Sequence, residues 1–156
     1  MQANRHLAVF LYLKNNEETI MASLSNAEER RLLDYSGSSV YLALYTSDPT
    51  DADTGTEASW AGSTPYARQS VSFSAAATDG SGNTTATQSG TVQFPAYITG
   101  GSPVTITHWG ILDAATGGNL RWHGQIKDSG GNTKTETLSA DNIVTFASGN
   151  IVLSMS

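Results

Sequence analysis

The stretch that decides the fold is Val104 to Gly124, VTITHWGILDAATGGNLRWHG. Two runs suited to strands, Val104–Leu112 and Asn119–Ile126, flank a polar link, Asp113-Ala-Ala-Thr-Gly-Gly-Asn119. On strict alternation Val104, Ile106 and His108 share one face of the first run, and Thr105, Thr107, Trp109 and Ile111 share the other. In the second run Leu120, Trp122, Gly124 and Ile126 alternate with Arg121, His123 and Gln125. Gly117-Gly118 takes positive φ without steric cost, so the link can reverse the chain. This spacing predicts a central β-hairpin whose two indoles give the largest apolar burial in the chain.

Outward from the hairpin, turn signals recur at short intervals. Upstream, Val40–Tyr45 (VYLALY) is apolar at both alternations, as in a strand buried on two sides. Pro65–Ser74 alternates, with Tyr66, Arg68, Ser70 and Ser72 on one face and Ala67, Gln69, Val71 and Phe73 on the other. Ala75–Ser89 is small and polar and reads as a loop or an edge region, and Gly90–Pro95 as a short strand ended by proline. Downstream, Thr133–Leu138 reads as a weak edge strand, and Asn142–Ala147 with Asn150–Met155 as a hairpin around Ser148-Gly149. Before the strands, Ser25-Asn-Ala-Glu28 is a capping box that opens a short helix, Asn26–Tyr35, with Gly37 available as a left-handed C-cap. The expected fold is therefore all-β: a single β-sandwich, jelly-roll-like, of about eight antiparallel strands with one short N-terminal helix.

Composition agrees. The chain has 156 residues, 38% hydrophobic and 14% charged, with 19 Ser, 19 Thr and 15 Gly. That suits short strands with polar outer faces, and ill suits an enzyme carrying several charged catalytic groups. A net charge of −6 with three Lys and five Arg leaves no basic patch, so nucleic acid is not an expected partner. No cysteine is present, which removes disulfides and thiolate metal sites. The longest apolar run, Leu7–Leu13, is far short of the roughly 20 residues of a membrane-spanning helix.

Residues 1–20 stand apart from the domain at 21–156. Glu17-Glu18 must be encoded by purine-rich codons just upstream of Met21, where a bacterial ribosome-binding site would sit, so one reading is an untranslated leader. The other is an N-terminal arm that clips onto a neighbouring subunit through Leu7–Leu13.

Few residues invite chemistry. The acidic loop Thr46–Glu57 has Asp51, Asp53 and Glu57 at a spacing partly like a calcium loop, without its distant bidentate glutamate. An Asx-Pro turn with a solvated acidic lip accounts for it as well, and Arg68 is expected to reach Glu57. His108 and His123 can face one another across the hairpin, with Asp113 at its tip, as a zinc or hydrolase arrangement. Trp60, in a Gly/Ser loop, is the best exposed candidate for stacking on a sugar. Leu32, Leu33 and Tyr35 on the short helix are the candidate partner contacts, because so short a helix must pack on something.

Several pieces taken together resemble a family of small tailed-bacteriophage virion proteins usually labelled tail-fibre proteins. They are the opening helix Leu24–Tyr35, Tyr41–Glu57, Tyr66–Phe73, Val92–Pro95, Thr107–Leu120 and Gly149–Leu153. The resemblance implies a non-enzymatic virion component, of the tail or the capsid surface, that acts by self-assembly and by docking on other virion proteins. The expected partners are further copies of the chain, a trimer being favoured, and other virion proteins, with a host-surface glycan as the alternative ligand. No cofactor is expected beyond the calcium reading, and no catalytic residue carries over.

Overall fold

A computed structural model describes residues 23–61, 65–97 and 102–155; the apolar run Leu7–Leu13 lies outside them. The helix α1, Asn26–Ser36, opens on Ser25, whose hydroxyl accepts from the Glu28 amide, with Glu28 and Glu29 in the first turn. It ends differently from expectation. Gly37 sits at φ −92°, and the left-handed residue is Ser39 at φ 52°. The Gly37 amide still reaches Leu33 O, so the closing hydrogen bond forms without the left-handed turn.

Eleven strands follow. β1 is Val40–Tyr45, β2 Gln69–Phe73, β3 Ala77–Thr78, β4 Thr84–Ser89, β5 Val92–Gln93 and β6 Val104–Ile106. After them come β7 His108–Leu112, β8 Leu120–Gln125, β9 Glu136–Leu138, β10 Thr145–Phe146 and β11 Val152–Met155. One seven-stranded sheet runs β11-β4-β2-β1-β7-β8, with β3 also on β4; β5 pairs with β10 and β6 with β9. Every pairing is antiparallel. The large sheet curls, giving an all-β, β-sandwich-like fold.

β1 lies between β2 and β7 and is buried on both faces. Leu42 and Leu44 point into the main core, with Val71, Ala86, Ile111 and Leu153 of the same sheet. The short strand pairs contribute Val92, Ile106 and Leu138 from the opposite side, and α1 contributes Leu33. Ala43 and Tyr45 point the other way, into a small outer cluster with Leu112 and Leu120. Two-sided burial is why β1 lacks polar alternation.

Four expectations need correction. Ala75–Ser89 is neither a loop nor merely an edge region: it holds the β3–β4 hairpin, and β4 sits inside the sheet between β11 and β2. The core-facing positions of β4 are Thr84, Ala86 and Gln88, so polar residues hid the alternation. The C-terminal runs do not pair with each other, since β10 goes to β5 and β11 to β4. The run Val104–Leu112 breaks at Thr107, whose amide and carbonyl bond Tyr45 O and the Ile126 amide. The break passes β6 to another sheet and lets both Ile106 and Ile111 enter the same core, whereas one straight strand would set them on opposite faces. Finally, the hairpin indoles are only half-buried; the largest fully buried side chains include Tyr45 and Phe94.

Candidate functional site

The acidic loop is held in a fixed shape and folded down onto the outer face of the β7–β8 hairpin. Asp48 Oδ1 accepts from the Thr50 amide at 2.9 Å, an Asx turn beside Pro49, and Thr54 N donates to Pro49 O at 2.7 Å. Gly55 is required here, because a Cβ would lie 2.6 Å from Pro49 Cα. Thr50 (φ 58°) and Asp53 (φ 51°) take left-handed backbone inside the turn. At its neck, Thr46 N donates to Thr56 O and Ala58 N to Leu44 O.

His108 pairs with Gln125 and His123 with Gly110, so the two imidazoles are diagonal neighbours on one face. Asp48 lies between them, with Oδ2 3.9 Å from His108 Nε2 and Oδ1 3.6 Å from His123 Nδ1. His123 Nε2 is 3.1 Å from Asp51 Oδ1, and His108 Nδ1 is 2.8 Å from the Thr107 hydroxyl. Tyr45 Oη donates to Asp53 Oδ1 at 3.1 Å. These contacts join the loop to the hairpin. Burial, and then the bond to Asp53, pushes the Tyr45 hydroxyl far above the ordinary tyrosine range.

Glu57 closes the loop through a better-protected contact. Arg68 Nε and Nη2 donate to its two oxygens at 2.9 and 2.7 Å, as expected from sequence. Arg68 Nη1 reaches the Ala114 and Gly117 carbonyls in the hairpin link. Tyr66 Oη donates to Glu57 Oε1 and accepts from the Leu44 amide. Burial drives the Tyr66 hydroxyl upward too, against the lowering effect of the Leu44 amide.

The expected groupings therefore change partners. Asp51, Asp53 and Glu57 diverge to His123, Tyr45 and Arg68, and among the described residues no group of three His, Asp or Glu is placed to hold a metal ion. Asp113 does not join the histidines. It accepts from the Asn119 amide and side chain and lies 3.9 Å from Arg121, and the Asn119 amide holds its carboxyl below the usual range. Asp48, which the sequence placed in the acidic loop and its Asx-Pro turn but not with the histidines, takes its place; no spacing rule ties it to the hairpin.

Trp60 is not exposed. It is 7% accessible and packs edge-on against Tyr66 and Tyr97, ring centroids 4.8 and 5.6 Å away. Leu33 is likewise core, not a partner contact, whereas Leu32 is half-buried. Tyr35 is 66% exposed, with the Arg121 guanidinium 5.3 Å from its ring, and Leu24, before the other end of α1, is exposed too.

A family model described as Podophage GP4 fiber I protein gp80 matches residues 24–154. The comparison with curated proteins finds no match.

Proposed function

The chain belongs to the podophage GP4 fiber I protein family, a family of bacteriophage virion structural proteins, and we propose that it works there without catalysis, by self-association and docking. The observation that carries this reading is the match itself, which runs through the whole described β domain from before α1 into β11. In this reading the protein forms a homo-oligomer, a trimer, at a fibre or another tail-associated or capsid-surface position, and seats on other virion proteins.

The structure supports it in two ways. The loops are tied down by side-chain contacts, as at Asp48, Asp53 and Glu57, so the surface is presented in one shape. Docking onto such a surface immobilises few further groups. Apolar exposure is concentrated in a few side chains, Leu24, Tyr35, Ile143 and Val152, of which Leu24 precedes α1 and Tyr35 lies in its last turn. Tyr35 is the anchor we assign to assembly, because an exposed aromatic braced by an arginine suits an interface core. No cofactor is assigned, and calcium is expected to leave the melting temperature unchanged.

Light scattering over a concentration series tests the reading. The expected species is a trimer that dissociates on Tyr35→Ala; a strict monomer at the highest concentration overturns it.

A further inference from the structure

A groove of about 930 Å³ opens where the β7–β8 hairpin meets the chain around β10 and β11. Its volume is that of a small-molecule site. Trp109, Gln125 and Lys127 line it from the hairpin side, and Phe146, Asn150 and Ile151 from the other. The backbone here is already paired. The Ile126 amide donates to Thr107 O, and the Ile126 and Ile151 carbonyls accept from Lys134 N and Gln88 N. Recognition in this groove therefore falls to side chains.

The carboxylates on its rim are engaged. Asp128 accepts from the Gly130 and Asn132 amides of its own turn, both at 2.9 Å, and Glu136 holds Lys134 at 3.0 Å. By contrast, the Trp109 Nε1 hydrogen, the Lys127 ammonium and the Asn150 side-chain amide have no hydrogen-bond or ion-pair partner among the described residues. Trp109 is also seated as a platform. Gly124 has no side chain to hold the indole off, since a Cβ there would lie 2.6 Å from Cζ2 and 2.8 Å from Cε2. The ring rests against β8, half-buried, and its open part belongs to the groove. An indole face is electron-rich, and the polarised C–H face of a pyranose ring is its complement.

We propose that this groove binds an acidic oligosaccharide, with one sugar ring stacked on Trp109 and a carboxylate meeting Lys127. Free donors beside an aromatic surface, with the neighbouring carboxylates engaged, select a ligand that is rich in acceptors and negatively charged. The chain's net charge of −6 slows an anion's approach, and Lys127 acts at contact, where that distant field matters least. The site is separate from the Tyr35 surface assigned to assembly.

Nitrogen–proton correlation spectra test this, because the chain has three tryptophans and each gives one indole signal. On titration with a galacturonic acid hexamer the Trp109 signal is expected to move, with a Kd at or below roughly 1 mM, while those of Trp60 and Trp122 stay. Lys127→Ala, at an exposed position, is expected to weaken the hexamer about tenfold, with the Trp60 and Trp122 signals unchanged to show that the fold is intact. A glucose hexamer is expected to bind about tenfold more weakly than the acidic one to the parent, and equally to the parent and Lys127→Ala. A Trp109 signal that does not move at about 10 mM acidic hexamer overturns the proposal. Equal binding of the two hexamers by the parent overturns it, as does unchanged affinity in a folded Lys127→Ala. A hexaglutamate peptide that binds as tightly as the acidic sugar overturns it in favour of charge alone.

Discussion

Arg68 holds Glu57 through two parallel hydrogen bonds, at 2.9 and 2.7 Å, and with its third nitrogen group caps the Ala114 and Gly117 carbonyls. One guanidinium thus fastens the acidic loop, the approach to β2 and the tip of the hairpin. Its side chain is only 10% accessible, so the contact is shielded from water. Arg68→Lys keeps the charge but loses the planar fork, and Arg68→Ala also strands Glu57. The expected loss is about 2–3 kcal/mol for Arg68→Ala, with Lys recovering less than half, read from denaturant midpoints.

Gly110 and Gly124 face each other's strands beneath large rings. A Cβ on Gly124 would lie 2.6 Å from Trp109 Cζ2, and one on Gly110 would lie 2.8 Å from both Tyr45 Cε2 and Leu120 Cδ1. Neither glycine needs positive φ, so steric contact alone is tested. Gly110→Ala and Gly124→Ala are each expected to cost about 1–3 kcal/mol. Gly110→Ala combined with Leu120→Ala should cost less than the sum of the two, measured as a double-mutant cycle.

The buried Trp60 ring carries an Nε1 hydrogen with no partner among the described residues. Trp60→Phe removes that donor and keeps an aromatic between Tyr66 and Tyr97. Its expected cost is within about 1 kcal/mol, against about 3–5 kcal/mol for Trp60→Ala. A Trp60→Phe variant as damaged as Trp60→Ala would show that the indole hydrogen is bonded after all.

Tyr45 and Tyr66 are both raised on folding, chiefly by burial. A group raised in the folded state contributes stability that is full below its unfolded value, about 10 for tyrosine, and is lost as pH rises beyond it. Alkaline unfolding is therefore expected to begin near pH 10. Tyr66→Phe should flatten the dependence of stability on pH above that point, although it costs stability at neutral pH through the lost bonds to Glu57 and Leu44. A variant with an unchanged alkaline slope would assign the transition to other groups.

Asp48→Asn keeps the Asx turn but removes the carboxylate charge that lies between His108 and His123. The Thr54 and Thr56 amides are expected to exchange several-fold faster in Asp48→Asn than in the parent. Equal exchange in the two proteins would show that this carboxylate does not hold the loop on the hairpin.

Local chemistry alone determined much of the fold. The capping box at Ser25, the two-sided apolar run of β1, the Gly117-Gly118 reversal and the Glu57–Arg68 pairing all follow from residues near one another or from strong, simple patterns. Tertiary structure decided the rest, and for one physical reason: a strand's partner is chosen by burial shared across the whole sheet. The polar stretch of β4 became an inner strand because Thr84 and Gln88 bond their hydroxyl and amide groups inside the fold, to Glu29, Gly90 and Phe146. Trp60 went inward because Tyr66 and Tyr97 converge on it from elsewhere in the chain. Asp48 met the two histidines because the curl of the loop placed it there, at a distance in sequence over which no spacing rule operates.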